Sequence, residues 1–194
     1  MRIIAGKYRG HHLVNFKANH IRPTTDRVKE TMFNKWMGYL EDATVLDLFC
    51  GTGNLGLEAL SRGAKHVTFV DSHKTSLKIT QENIEKLKIP KEQYTIVLKD
   101  VFTFVKQWSK EPFDLIFVDP PFTEKIAHDV MEAISKSKAF APHTRIALES
   151  QAKERLELEY SPLTCYDQNL YGDKKLSLFI ESGHEEEGDL SGKL

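Results

Sequence analysis

Paired cysteines and long apolar runs are both missing from this 194-residue sequence. Its two cysteines, Cys50 and Cys165, lie far apart and can form neither a disulfide framework nor a zinc-ligand pattern. No apolar run approaches the ~20 residues of a transmembrane helix, and the first residues lack the apolar core of a signal peptide. We therefore expect a cytoplasmic protein in a reducing compartment.

The length and composition are those of one ordinary globular domain. Hydrophobic residues make up 40% of the chain and charged residues 28%, which suits a soluble protein with a buried core. Internal repeats are absent from the sequence, and we expect a monomer.

The small net charge of −1 hides an uneven distribution of charge along the chain. Residues 183–194 are acidic and punctuated by glycine, and we expect them to be disordered. The first thirty residues are basic, and a basic segment of this kind suits a polyanionic partner. Charge alone, however, favours an ordinary solvated surface. The basic residues concerned are Arg2, Lys7, Arg9, Lys17, Arg22, Arg27 and Lys29.

Two elements are predicted before the main body of the chain. Residues 1–20 predict a short β-hairpin, with strands at 2–5 and 11–16. A helix is predicted from about residue 25 to 38, because a threonine can cap its start, Gly38 suits its end, and apolar residues form a stripe along it.

From Thr44 onward, predicted strands alternate with predicted helices. Such alternation indicates an α/β fold of the Rossmann-like type, with a mostly parallel sheet covered by helices on both faces. The last two strands, 163–170 and 176–181, follow each other directly and should pair antiparallel at an edge. We assign residues 21–182 to this domain. The earlier strands are 44–49, 66–71, 94–98, 114–119 and 144–149, and the helices between them are 55–62, 75–87, 101–108 and 124–136.

A glycine-rich segment follows the first predicted strand. Its sequence, Asp47-Leu48-Phe49-Cys50-Gly51-Thr52-Gly53-Asn54-Leu55-Gly56, allows a tight turn and a close approach of the backbone to a ligand. The three glycines also match the dinucleotide fingerprint, with Asp71 about 20 residues further on. Taken alone, the loop therefore fits a nicotinamide cofactor, S-adenosylmethionine, or a turn without a ligand.

Three acidic residues favour S-adenosylmethionine. Asp47 precedes the glycines where methyltransferases place an acid, Asp71 can accept both ribose hydroxyls, and Asp100 follows the third strand, where methyltransferases read the adenine amino group. Asp71 and Asp100 also suit helix caps or turns, a role that can coexist with binding. The chain is short for a dehydrogenase with a substrate domain. The predicted cofactor residues are Asp47, Gly51, Gly53, Asp71, Asp100 and Val101.

The segment Asp119-Pro120-Pro121-Phe122 predicts the chemistry. Its prolines fix the backbone and remove two amide donors, which leaves the Asp119 side chain and the Pro120 carbonyl as acceptors. Two acceptors can hold the hydrogens of an exocyclic amine and direct its lone pair at a methyl group. Phe122 offers a flat face to a planar substrate. The arrangement needs neither a metal nor a covalent intermediate, although a rigid strand-to-loop turn is the plain alternative.

With these motifs in place, the chain resembles the bacterial methyltransferases that modify the N2 atom of guanine 966 in 16S ribosomal RNA. The resemblance covers about residues 1–180. Cys50 and the acidic tail depart from the family pattern. Beyond the glycine loop and the segment 113–122, the resemblance rests on Arg2-Ile3-Ile4-Ala5-Gly6-Lys7-Tyr8-Arg9-Gly10, Arg22-Pro23-Thr24-Thr25-Asp26-Arg27-Val28-Lys29-Glu30, Leu57-Glu58-Ala59-Leu60-Ser61-Arg62-Gly63-Ala64 and Tyr171-Gly172.

The resemblance implies a seven-stranded sheet with an N-terminal hairpin, and a small-subunit (30S) particle containing 16S rRNA as the substrate. It implies that Asp119 and Phe122 face the guanine and that the stretch 22–27 lies by the substrate or the methionine end of the cofactor. From their charge, we also expect the basic residues of the first thirty to contact phosphates, and Tyr8 either stacks on a base or packs within the protein. The residues that we predict to contact RNA are Arg2, Lys7, Tyr8, Arg9, Arg22 and Arg27.

Three rival functions stay open at this point. The amine could be adenine N6 in DNA or a glutamine amide in a protein, since the Asp-Pro-Pro-Phe segment fits these amines as well as the guanine amine. The basic N-terminal segment and the lack of a separate DNA-reading domain favour RNA. The third rival is a non-catalytic RNA-binding assembly factor, which the intact Asp119 and glycine loop disfavour.

Overall fold

A computed structural model of the chain describes residues 1–15, 26–122 and 124–184. Within these ranges eight strands form one sheet, in the order β3-β2-β1-β4-β5-β8-β7-β6. The first five strands of the chain are parallel, and the last three pair antiparallel at one end. The strands are β1 (Thr44–Leu48), β2 (His66–Asp71), β3 (Tyr94–Leu98), β4 (Leu115–Val118), β5 (Arg145–Gln151), β6 (Glu159–Tyr160), β7 (Leu163–Tyr171) and β8 (Lys174–Glu181).

Helices cover both faces of this sheet because the side chains of each strand alternate. In β1, Val45 packs in one core with residues of the first three helices, and Leu46 and Leu48 pack in the other core with residues of the last two. The helices are α1 (Asp26–Lys35), α2 (Asn54–Ser61), α3 (Lys74–Leu87), α4 (Val101–Gln107) and α5 (Ala127–Ser135), with 3-10 turns at Met37–Tyr39 and Lys91–Gln93. In the described part of the chain, no helix has both the length and the apolar character needed to span a membrane.

The predicted α/β fold is confirmed, with small differences at its ends. The sheet gains the two-residue strand β6, which is too short to leave a period-two pattern in the sequence. The helix predicted at 25–38 ends as α1 at Lys35 and continues as a 3-10 turn. β1 lies between β2 and β4. The chain adds β2 and β3 on one side of β1 and then crosses over to add β4 on the other side. This reversal creates a topological switch point at the carboxyl ends of β1 and β4.

In the N-terminal segment, residues 1–15, the two arms of the predicted hairpin pair antiparallel over one bridge and form no named strands; residues 16–20 of the predicted hairpin lie outside the described residues. One bridge joins Arg2 to His12, and the Ile3 N–H donates to the His11 carbonyl at 3.0 Å. Other backbone groups of the segment bond to α2: the Lys7 N–H donates to the Ser61 carbonyl at 2.7 Å. Gly6 permits this contact, because its φ is +79° and a Cβ there would lie 1.7 Å from the Ser61 carbonyl oxygen.

A buried ionic cluster anchors the N-terminal segment to α1 and α2. Glu58 is fully buried and accepts the backbone N–H groups of Ile4 and Ala5 at 2.8 and 3.0 Å. It also binds Lys29 at 3.0 Å and Arg62 at 2.8 Å. Burial lowers the pKa of Lys29, and the Glu58 carboxylate opposes that effect. The segment is thus held to the domain by hydrogen bonds to a buried charge.

Candidate active site

A cavity of about 600 Å³ opens at the carboxyl ends of β1 to β4. It gathers residues that are widely separated in the sequence because parallel strands end at the same edge of the sheet. The predicted catalytic and cofactor residues in its wall are Asp47, Gly51, Asp71, Asp100, Val101, Asp119, Pro120 and Phe122. Gly53 lies behind this wall.

The glycine loop turns sharply between β1 and α2. Gly51 has a φ of +56°, and a Cβ there would come no closer than 3.8 Å to the atoms around it, so the backbone conformation is what requires glycine. Gly53 caps α2 with a φ of 78°, and its N–H donates to the Cys50 carbonyl at 2.7 Å. Gly53 therefore shapes the turn, whereas Gly51 borders the cavity.

The third glycine has a packing role. A Cβ on Gly56 would lie 2.4 Å from the Phe69 ring and 2.7 Å from Val67, so glycine is needed for α2 to pack closely on β2. The Gly56 N–H donates to the Asp47 carboxylate at 2.9 Å. Asp47 is only 1% exposed, and its burial, together with the nearby Asp71 charge, raises its pKa to about 7. Asp47 thus supports the start of α2 from the floor of the cavity.

Asp71 joins the end of β2 to the glycine loop. One carboxylate oxygen accepts the Gly51 N–H at 3.0 Å, and the other accepts the His73 N–H at 2.8 Å. A carboxylate oxygen has two lone pairs, so the oxygen bonded to Gly51 can still accept a hydroxyl from the cavity, whereas the other oxygen also lies 3.3 Å from the His73 Nδ1 atom. At the next strand, Asp100 caps α4 by accepting the Thr103 N–H at 2.8 Å. The capping role expected for Asp100 is therefore present, and Asp100 lines the cavity as well.

The Asp119–Phe122 segment leaves β4 beside the glycine loop. Leu48 of β1 pairs with Val118 of β4, so the next residues, Phe49 and Asp119, begin the two loops side by side. Asp119 is half-buried and Pro120 is buried. The acceptors that we predict for an amine and the loop that we predict for the cofactor therefore share one cavity across the switch point.

Three side chains that sequence reasoning missed hold Phe122. The Gln151 side-chain amide donates to the Phe122 carbonyl, and the Lys174 ammonium lies 4.5 Å from the centroid of the Phe122 ring. Lys174 is in turn paired with Glu149. A run of polar residues, Glu149-Ser150-Gln151, at the end of the buried strand β5 is the signal in the sequence that could have found this cluster.

The predicted RNA-contacting residues divide into exposed and buried groups. Arg2, Lys7, Arg9 and Arg27 are exposed, whereas Arg22 lies outside the described residues. Tyr8 is only 7% exposed and packs in the core, so of its two alternative roles the structure shows packing, and its predicted contact with RNA is corrected. Lys29, which the charge pattern groups with the basic residues of this segment, is 1% exposed and bound to Glu58, so it does not add to the basic surface.

The N-terminal segment borders the cavity as well as the basic surface. Met1 and Asn15 line the cavity. Asn83, fully buried on α3, accepts the Val14 N–H at 2.6 Å and donates to the Thr52 carbonyl at 3.0 Å. The glycine loop and the basic segment are therefore joined through one side chain.

One cluster of metal-ligating side chains stands out among the described residues. It consists of His128, Asp129 and Glu132 on α5, and the two acids are exposed. Glu132 is paired with Lys136 at 2.5 Å, and of the three side chains only His128 is partly buried. The cluster lies outside the cavity, so we assign it no part in the site.

The sheet order, the switch-point cavity and the two loops that open into it define a class I methyltransferase fold. The chain belongs to the family described as Conserved hypothetical protein 95, whose profile matches residues 1–180. Membership agrees with the resemblance found in the sequence.

Similar proteins point the same way. The chain is 39% identical over 157 residues to the ribosomal RNA small subunit methyltransferase D of Haemophilus influenzae, covering 80% of this chain and 81% of the relative. It is 34% identical over 156 residues to the methyltransferase D of Escherichia coli strain K12, covering 80% and 77%. A solved structure of a candidate methyltransferase from Escherichia coli has a TM-score of 0.82 at 30% identity and covers 93% of this chain and 97% of that one.

Proposed function

We propose that this protein transfers a methyl group from S-adenosylmethionine to the exocyclic N2 of guanine 966 in 16S rRNA. The observation that supports the chemistry most strongly is the meeting of the glycine loop and the Asp119–Phe122 segment in one cavity. Support for the RNA comes from the exposed basic residues and from relatives named as small-subunit methyltransferases.

The residues at the ends of β1, β2 and β3 fit S-adenosylmethionine. The Asp71 carboxylate accepts one ribose hydroxyl at the oxygen bonded to Gly51, and a second at the other oxygen once the exposed His73 ring turns away. Gly51 keeps the wall of the cavity free of side chain beside it. Asp100 and Val101 supply an acceptor and an apolar contact for the adenine. When bound, the cofactor supplies a methyl group on a positively charged sulfur.

Asp119, Pro120 and Phe122 hold the amine that receives the methyl group. Its lone pair is delocalised into the guanine ring, so the amine is a poor nucleophile until its two hydrogens are held by the Asp119 carboxylate and the Pro120 carbonyl. Orientation and electrostatics of this kind lower the barrier without a metal. One N–H proton leaves as the methyl group arrives, and water accepts it, so Asp119 does not have to be a strong base. Phe122 stacks on the base.

Arg2, Lys7, Arg9 and Arg27 contact phosphates around the guanine. Each phosphate contact releases counterions, so binding falls steeply with salt. A guanine in a loop costs little unpairing energy before it enters the cavity. We propose a 30S particle as the substrate, since a folded particle presents both the loop and a fixed array of phosphates.

A methyl-transfer assay with three acceptors tests the proposal. Purified protein and labelled S-adenosylmethionine are incubated with 30S particles, naked 16S RNA or duplex DNA. We expect label in 30S particles and none in DNA. Label in DNA or in ribosomal protein would favour the adenine or glutamine alternatives. If the protein binds RNA without binding S-adenosylmethionine, a non-catalytic assembly factor is the better function.

A further inference from the structure

A buried ion pair lies beside the Asp119–Phe122 segment. The side chains of Lys174 and Glu149 are each 5% exposed and paired with each other. Removing two charges from water is costly, and apolar residues of similar volume often replace such pairs without loss of stability. The attraction to Glu149 therefore does not by itself explain why residue 174 is a lysine.

The position of Lys174 relative to Phe122 gives the pair a role. Strands β5 and β8 place Gln151 opposite Lys174. From these two positions, Gln151 bonds the carbonyl of Phe122, and the Lys174 ammonium lies 4.5 Å from its ring centroid. A cation over an aromatic face is attracted to it, and more strongly where water is excluded. The backbone and the ring of Phe122 are thus held from the same strand pair.

We propose that Lys174, kept charged and in place by Glu149, is a positioning residue that fixes the Phe122 ring for the reacting base. The inference rests on the proposed function, in which Phe122 stacks on the guanine. Phe122 lines the cavity and is half-buried, whereas Lys174 is 4% exposed. The cation therefore holds the ring from its buried side and leaves the cavity side to the base.

Loss of this contact should slow the methyl transfer with little change in binding. RNA affinity comes mostly from phosphate contacts, and the predicted cofactor residues lie on β1 and β2 or in the segments that follow β1 and β3. A ring that is free to tilt misplaces the amine, and small misplacements cost rate in the chemical step. We expect kcat to fall about 10-fold, with the Kd for S-adenosylmethionine and the KM for the particle within about twofold.

The experiment compares paired substitutions in two backgrounds. Lys174→Met alone would leave the buried Glu149 carboxylate without its partner. The test variant therefore combines Lys174→Met with Glu149→Gln, and it is made in both the wild type and Phe122→Leu. Lys174→Arg keeps a cation over the ring and should retain most of kcat. Lys175→Met is the matched control, because Lys175 is also buried but donates to the Glu154 carbonyl at 3.2 Å.

The double-mutant cycle decides the inference. If Lys174 acts through Phe122, the paired substitution lowers kcat in the wild type and has no further effect in Phe122→Leu. An equal loss in both backgrounds, or an unchanged kcat in the wild type, would overturn it. A fall in melting temperature with kcat intact would show a purely structural pair. Failure of the proposed function would give a different result from failure of this inference, since the wild-type protein would then methylate no guanine.

Discussion

The Asp71 carboxylate accepts the backbone N–H of Gly51 at 3.0 Å, so the residue that ends β2 also holds the loop that follows β1. The two residues are 20 positions apart in the chain. Their contact places the Asp71 carboxylate and the Gly51 backbone on the same wall of the cavity. Asp119 lies across the switch point from them, at the end of β4.

Cofactor binding and methyl transfer should therefore separate by residue. Asp119→Ala should keep the affinity for S-adenosylmethionine within about twofold but lower the rate of transfer by at least about 10², because the residue serves the amine. Asp71→Ala should weaken cofactor binding by at least about tenfold, since it removes charge-assisted hydrogen bonds and the support of Gly51. Calorimetry and single-turnover kinetics measure the two effects. Equal loss of both properties in Asp119→Ala would show that its assigned role is wrong.

Asp47 should make the stability of the protein depend on pH. Because its pKa is raised from 3.8 to about 7, the folded chain keeps a proton between about pH 4 and 7 that the unfolded chain has lost. The stabilising effect of that proton is complete below about pH 4 and is lost as the pH rises through 7. Urea denaturation at pH 5 and pH 8 measures it.

Asp47→Asn is the matched variant, since its side-chain oxygen can still accept the Gly56 N–H. We expect this variant to gain stability relative to the wild type as the pH rises from 5 to 8. A difference in unfolding free energy that stays constant between the two pH values would contradict the account of Asp47 as a buried acid.

The exposed cations of the N-terminal half should determine the salt dependence of RNA binding. Arg9→Gln with Arg27→Gln should weaken binding to the 30S particle and reduce the slope of log K against log salt by about one to two, because each lost phosphate contact removes nearly one unit. Filter binding at several salt concentrations measures the slope. Lys138→Gln is the control, since this exposed lysine lies between α5 and β5, at the amino ends of the strands and away from the cavity. An unchanged slope in the double variant would remove these arginines from the interface.

The buried Glu58 cluster should be important for stability. Glu58→Ala leaves Lys29 without its carboxylate partner and the N–H groups of Ile4 and Ala5 without their acceptor, and should cost about 3–5 kcal/mol. Glu132→Ala, which removes an exposed pair with Lys136, should leave the free energy of unfolding almost unchanged. Chemical denaturation compares the two variants. Similar losses would mean that the N-terminal segment is held mainly by its apolar contacts.

That the predicted cofactor residues would lie close together could be foreseen, because the strands that carry them are buried and regular. The carboxyl ends of β2, β3 and β4 must lie at one edge when those strands are parallel, so the gathering of Asp71, Asp100 and Asp119 in one cavity required no knowledge of side-chain packing. The antiparallel pairing of the last long strands was likewise predicted, since no helix separates them.

The errors came from side chains whose direction the charge pattern does not reveal. Lys29 was counted with the basic residues, yet it precedes Met32 and Phe33 by three and four positions and so lies on the buried face of α1. Tyr8 lies between two cations but is packed in the core. The Lys174–Glu149 pair was missed because it depends on the register of β5 against β8, which no local pattern specifies.

The nucleoside that carries the transferred methyl group tests the central claim most directly. 30S particles that lack the modification are incubated with the protein and S-adenosylmethionine, and the digested 16S rRNA is mapped by mass spectrometry. The account predicts N2-methylguanosine at position 966, formed by the wild type and absent with Asp119→Ala. A methyl group on adenine, at another guanine atom or in ribosomal protein would contradict it.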